Sequence, residues 1–349
     1  MRMKKDLKSP LLIAYVSTRD LKNLKESDAK AIDVINIAFG HVVEGNCVWE
    51  EASSEVDNAI ENIRSINPNI RFVLSIGGWS AGGFSEAAST KESREKFAIT
   101  ARELVEKHNL DGIDIDWEYP GIGVAGITAT PEDKENFTLY LQAIRDELNK
   151  LGDDYLVTIA GGGDNYFCRN TELDKIAEIC DYIQIMTYDL RGGFTHATGH
   201  HTNLFVPQND MSDVSVKTAV EQYHRAGVPK SKIVIGVAFY TRLWEGVPNA
   251  DNGYNQYAET VGGYGPSFDD LKENYIDKDG FIRYWDDVAK APWLFDGKTF
   301  ISYEDEESIA HKVKYLDDEG LLGVMYWEYC LGRETDLTLV IRDEIDKLN

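Results

Sequence analysis

The sequence predicts a (β/α)8 TIM barrel with a small subdomain inserted between its seventh and eighth strands. Three observations lead there. Eight short apolar, β-branched runs recur along the chain, several of them apolar on both faces, as a closed parallel sheet buried under helices requires. Stretches with helical periodicity separate them. One interval, residues 241–320, far exceeds the ~2–6 residues of an ordinary loop and the length of a connecting helix.

The strand candidates are LLIAYVS (11–17), VINIAF (34–39), RFVLSIGG (71–78), GIDIDWE (112–118), YLVTIAGG (155–162), YIQIMTY (182–188), KIVIGVAFY (232–240) and LLGVMYW (321–327). Between the fourth and fifth, Thr130-Pro131-Glu132-Asp133 predicts a helix start, with Thr130 as N-cap and proline in the first turn. Phe137, Tyr140, Leu141, Ile144 and Leu148 continue it as one apolar stripe. Similar stripes occupy 91–107, 213–226, 304–319 and the C-terminus. Strands alternating with helices from end to end predict a parallel barrel over 1–242 and 303–349. Residues 243–302 are rich in Tyr, Trp, Gly and Asp, and alternate in FIRYWDD and KTFISYE around the turn signals DKDG and FDGK. They predict a mostly β insertion. A loop after a barrel strand opens on the C-terminal face, where barrel enzymes keep their chemistry, so this insertion would wall a cleft.

Bulk properties narrow the function. With 349 residues, 43% hydrophobic and 28% charged, the chain has the composition of a soluble globular protein. Its net charge of -24 opposes binding to nucleic acid or anionic membrane and leaves a neutral or cationic small partner. No stretch approaches the ~20 apolar residues of a membrane helix. The basic start MRMKK is that of a signal peptide, but the apolar run behind it is short and no cleavage site follows. The chain is therefore expected in the cytoplasm, or as an exported protein lacking its signal. Cys47, Cys168, Cys180 and Cys330 are scattered without a CxxC pair and are expected as free thiols. No linker or repeat is visible, and the chain is expected to work as a monomer.

The chemistry concentrates in DGIDIDWE (111–118). On a strand, Asp114, Asp116 and Glu118 point to one side, about 6–7 Å apart, while Ile113, Ile115 and Trp117 point to the helical shell. The acids then face the barrel interior, with Glu118 at the mouth, where Tyr119-Pro120 ends the strand. Mutual repulsion raises the apparent pKa of part of such a set, so at least one proton should remain at neutral pH. A carboxylic acid protonated at a cleft mouth can protonate a leaving oxygen. Asp114 and Asp116 would tune and orient, and Glu118 would deliver the proton. A divalent-cation site or a polar plug could use the same acids; the same-face spacing and the position at the mouth favour catalysis.

DGIDIDWE resembles the DxxDxDxE signature of family 18 glycoside hydrolases, the chitinases and their relatives. SIGGW (75–79), MTYD (186–189), FYTR (239–242), TGHHTNL (198–204) and GVMYW (323–327) resemble further segments of that family. The long insertion resembles the α+β insertion of its deep-cleft subfamily. The resemblance implies that Glu118 is the general acid/base, that Asp116 turns between Asp114 and the substrate acetamido group, and that Tyr188 and Asp189 hydrogen-bond the acetamido group and the sugar. It implies Trp327 as the floor of the subsite on the non-reducing side, Tyr240 and Arg242 as its lining beneath the insertion, Trp79 and Tyr119 as cleft aromatics, and Tyr15, Phe39 and Met186 as inner lining. The reaction implied is retaining hydrolysis of β-1,4 bonds between N-acetylglucosamine units of chitin or chitooligosaccharides through an oxazolinium ion, with no cofactor and no metal. An endo-β-N-acetylglucosaminidase acting on N-glycans or peptidoglycan is the alternative enzyme, and a weakly catalytic chitooligosaccharide-binding protein the alternative outside catalysis. Two departures bear on subsite preference: the fifth strand continues as IAGGGDNYF, and FYTR carries Thr241 where the family has glycine.

Other features weigh less. His196, His200 and His201 lack a carboxylate or cysteine at ligand spacing and are expected in structural or rim roles. Trp244, Tyr264, Trp285 and Trp293 are expected mainly as insertion core, with one or two facing the cleft. Gly161-Gly162-Gly163 has no following GK[ST] and is not a phosphate loop.

Overall fold

A computed structural model describes residues 10–208, 210 and 212–348. The basic start of the chain lies outside the described residues. Eight parallel strands form the barrel: Leu11–Ser17, Val34–Val43, Arg71–Gly77, Gly112–Asp116, Leu156–Gly162, Tyr182–Met186, Ile233–Ala238 and Gly323–Trp327. Each pairs with the next, and the ring closes where the first strand pairs with the eighth, Leu11 opposite Gly323 and Ala14 opposite Tyr326. Alternation along the strands makes two apolar layers. Leu12, Ala14, Ile35, Ile37, Phe72, Leu74, Ile113, Ile115, Ile183 and Ile185 face outward and are fully buried under the helices. Leu11, Ile13, Val34, Val73, Leu156, Tyr182 and Val234 fill the interior. Each such aliphatic side chain contributes about 1.5–3 kcal/mol on burial, and the total supports a polar layer set inside the barrel above them.

The fourth strand ends at Asp116, two residues earlier than the periodicity suggests. The helix expected from Thr130 begins at Asp133. Asp133 is buried, and its carboxylate accepts from Thr130 N at 2.9 Å, Gly121 N at 3.2 Å and Ser85 Oγ at 2.6 Å. The preceding loop is thus tied to Asp133, and Thr130 does not cap. Two other helices carry side-chain caps: Ser215 opens Val216–Arg225 and Asp305 opens Glu306–Glu319, each with a reciprocal capping box.

After the seventh barrel strand the chain turns at Phe239 into a second sheet. Its five antiparallel strands lie in the order Gly263–Ser267, Tyr240–Glu245, Thr299–Ser302, Ala291–Phe295, Ile282–Asp286. Trp244, Val247, Ala258, Trp293, Phe295 and Phe300 form a core of their own there. Where this sheet returns to the barrel, Lys312 and Glu304 form a fully buried ion pair. Thr202 donates to Glu304 Oε1 at 2.8 Å and Ser308 to Oε2 at 2.6 Å. Thr202 also reaches the carbonyl of Thr187, at the end of the sixth strand. This network fastens the sixth-strand loop to the barrel wall.

Candidate active site

The C-terminal mouth is shaped first by glycine. Gly77 ends the third strand with φ +127°, and a Cβ there would sit 1.9 Å from the carbonyl oxygen of Asp116. Only glycine lets the two strand ends close so tightly, and Gly78 N completes the contact by donating to that oxygen at 3.0 Å. The end of the acidic strand is thereby held in place.

Asp114 is wholly buried and fully engaged. Tyr15 Oη donates to Oδ2 at 2.9 Å and Ser75 Oγ at 2.7 Å; Thr158 Oγ1 donates to Oδ1 at 2.7 Å and Gln184 Nε2 at 3.0 Å. Burial pushes its carboxyl up, against the pull of these four donors. Asp116, one step nearer the mouth, differs: its buried Oδ1 has no hydrogen-bond partner among the described residues. Burial, then the charges of Glu118 and Asp114, push it well above the usual carboxylate range. Glu118 lies two residues beyond the strand, only 9% exposed. Burial carries its carboxyl up to about 7, with Asp189 adding repulsion and Tyr119 pulling it back. Desolvation, more than the neighbouring aspartates, holds the proton on Glu118. The three partners of the set on the other face behave as alternation predicts: Ile113, Ile115 and Trp117 enter the helical core, Trp117 stacked on Phe84 at 5.4 Å.

Aromatic rings surround these acids. Trp327 stacks on Phe39 at 5.4 Å and 17°, with Tyr15 tilted against it at 5.7 Å. Met186 and Tyr119 pack with the interior residues near it. Among the described residues the Tyr188 hydroxyl has only the weak acceptor Met325 Sδ, at 3.8 Å, and its ring meets Tyr240 edge-on at 5.9 Å. Arg242 grips Asp189 with Nε on Oδ1 at 2.7 Å and Nη2 on Oδ2 at 2.6 Å. Behind this pair lies the fully buried His201, Nδ1 3.7 Å from Asp189 Oδ1. Burial pushes the Asp189 carboxyl up, but His201 and Arg242 outweigh it and hold the group well below the usual range. Trp79 stands on the rim, half exposed.

Some residues at this mouth escaped the sequence reading. Phe194, 88% exposed, meets Trp79 at 6.3 Å; exposed loop residues carry no periodicity, and only its place five residues beyond MTYD could have marked it. His201, expected in a structural or rim role, takes the structural one, packed against Asp189 and Tyr240. The other two histidines go elsewhere, His196 onto Tyr257 and His200 between Tyr254, Trp293 and Asp286. Among the described residues no His, Cys, Asp and Glu cluster could hold a metal ion, and no helix is long and apolar enough to cross a membrane. Of the four insertion aromatics, Trp244 and Trp293 are core, Trp285 stacks on His311, and Tyr264 is exposed beside Arg242.

A closed barrel whose mouth holds a protonatable carboxyl among stacked rings and hydrogen-bonding side chains has the form of a glycoside hydrolase. The chain belongs to glycosyl hydrolases family 18: that family's model matches residues 12–332. It is 41% identical to Chitinase A1 of Niallia circulans over 83% of this chain and 44% of that protein. It is 29% identical to Chitinase B of Serratia marcescens over 90% of this chain and 75% of that one. The chain thus spans less than half the length of Chitinase A1. Among solved structures, a family 18 N-acetylglucosaminidase from Paenibacillus barengoltzii superposes with a TM-score of 0.94 at 46% identity, covering 96% of this chain and all of the other. Chitinase ChiW from Paenibacillus sp. str. FPU-7 superposes at 0.90 and 37% identity, over 96% of this chain and 42% of that one.

Proposed function

We propose that the protein is a chitinase, hydrolysing β-1,4 bonds between N-acetylglucosamine units of chitin or chitooligosaccharides with net retention. The observation that carries this reading is the pair Asp116–Glu118: two buried carboxyls pushed up together, Glu118 to about 7, with the Asp116 Oδ1 left without a hydrogen-bond partner among the described residues. Glu118 protonates the leaving glycosidic oxygen while the substrate's N-acetyl carbonyl oxygen attacks the anomeric carbon. Asp116 accepts the N–H as positive charge spreads onto the resulting oxazolinium ion, and the Tyr188 hydroxyl steadies the acetamido oxygen. Glu118, now a carboxylate, takes a proton from water, whose oxygen adds to the anomeric carbon and reopens the ring. A nucleophile tethered to the substrate has the advantage of proximity, and families of this kind depart from the two-carboxylate scheme in using it.

The remaining residues serve binding. Trp327, backed by Phe39 and Tyr15, offers an apolar floor to the sugar ring; Asp189, Tyr240 and Arg242 line the wall below the second sheet; Met186 and Tyr119 close the inner side, and Trp79 extends the cleft outward. Residues 243–302 act as the insertion that raises this wall on the barrel of 1–242 and 303–349. One chain supplies every group named, so a monomer suffices. The chitinase names of the Niallia and Serratia relatives support the substrate. A second reading, release of single N-acetylglucosamine units, is favoured by the full-length likeness to the Paenibacillus N-acetylglucosaminidase. Digestion of a defined N-acetylglucosamine hexamer separates them: internal cleavage yields dimers to tetramers, and terminal cleavage yields monomer from the first minutes. No cleavage at all would refute both.

A further inference from the structure

Tyr264 is the insertion aromatic left without a role above, and its setting is unusual. It stands directly opposite Arg242 across an antiparallel pair, and the register slips between Tyr264 and Ser267. Such a bulge re-aims the side chain beside it. Thr241, the residue that departs from the family's glycine in FYTR, pins the bulge: its hydroxyl donates to the carbonyl of Pro266 at 2.9 Å. Gly265 makes that approach possible, because a Cβ there would lie 2.4 Å from Thr241 Oγ1. The outcome is a ring lying over the Arg242 guanidinium, Cζ 4.0 Å from its centroid, yet 70% exposed. One face of the tyrosine is therefore taken by the cation and the other is open. Its ring also lies 5.5 Å from that of Tyr240, and the Arg242 beneath it holds Asp189, so it stands beside the barrel mouth.

The geometry points to Tyr264 as a sugar-stacking, specificity-determining residue, set by the Thr241–Pro266 hydrogen bond to receive the apolar C–H face of a saccharide unit held near Asp189 and Arg242. An exposed ring offers apolar area that a partner can cover, and a pyranose face is the ligand chemistry that the proposed reaction brings to this mouth. The inference deepens the chitinase reading and rests on it.

The test measures binding of an N-acetylglucosamine hexamer by calorimetry in a Glu118→Gln background, in which turnover is slow. Adding Tyr264→Ala or Tyr264→Leu should weaken binding about tenfold, while Tyr264→Phe should match the parent because stacking needs the ring and not the hydroxyl. Thr241→Val, which keeps the volume and removes the hydrogen bond, should weaken binding severalfold. Tyr264 is exposed, so melting temperatures should stay at the parent's value. Unchanged affinity in the alanine or leucine variant, or a phenylalanine variant as weak as alanine, overturns the stacking role while leaving the chitinase reading standing. No hexamer binding by the Glu118→Gln protein itself overturns both.

Discussion

Arg242 meets Asp189 through an Nε–Oδ1 hydrogen bond of 2.7 Å and an Nη2–Oδ2 ion-pair contact of 2.6 Å, a two-point grip that only a guanidinium supplies. Lysine at 242 would keep the charge but lose the two-point contact and the surface under Tyr264. We expect Arg242→Lys to lower kcat/KM about tenfold to a hundredfold, the range of one charge-assisted hydrogen bond. Steady-state kinetics on a fluorogenic chitobioside would measure it, and activity equal to the parent would show that the grip is dispensable.

Glu118→Gln keeps the shape of the side chain and removes its proton chemistry. Turnover should fall by a factor of about 10²–10⁴, the usual yield of general acid catalysis, with oligosaccharide binding retained. Parent-like turnover would take Glu118 out of the acid role.

The acid must carry its proton to act, so kcat/KM should decline as pH rises through about 7, the value to which burial pushes Glu118. The same shift has a stability consequence of opposite benefit. Between the ordinary glutamate value and 7 the folded protein binds more protons than the unfolded chain, so this group's contribution to stability falls as pH rises through that window. Glu118→Gln should therefore melt higher than the parent at pH 8 and lose that advantage at pH 4. A flat rate profile from pH 5 to 9 would contradict the first half, and equal melting temperatures at pH 8 the second.

Lys312 and Glu304 are both fully buried. Removing one partner leaves the other charge desolvated, and Lys312→Met should cost about 3–5 kcal/mol. Adding Glu304→Gln should recover much of that, since the amide can still meet Thr202 and Ser308. Chemical denaturation of the two variants would check this; a double variant no more stable than the single would mean that the damage lies in packing.

Much of the architecture is legible because burial imposes periodicity. The eight strand runs lie where alternation and two-sided apolarity put them, and the helices at 91–107 and 306–319 follow their stripes. Asp114, Asp116 and Glu118 face inward because Ile113, Ile115 and Trp117 must face out. Legibility fails where no periodic force acts. The fourth strand stops at Asp116 because pairing stops there, although the alternating pattern runs on. Phe194 and Tyr264 sit in a loop and beside a bulge, where a residue's direction depends on distant backbone. The source of Glu118's raised pKa was misjudged for the same reason: sequence displays nearby charges but not depth.

From its letters alone this protein could be read as a barrel with a proton donor at its open end, since both follow from spacing along a strand and from the cost of exposing apolar side chains. Tertiary structure decided how deeply that donor is desolvated, which nitrogens hold Asp189, and which ring of the inserted sheet turns toward the mouth. Those depend on residues far apart in the chain meeting in space, and no local pattern encodes the meeting.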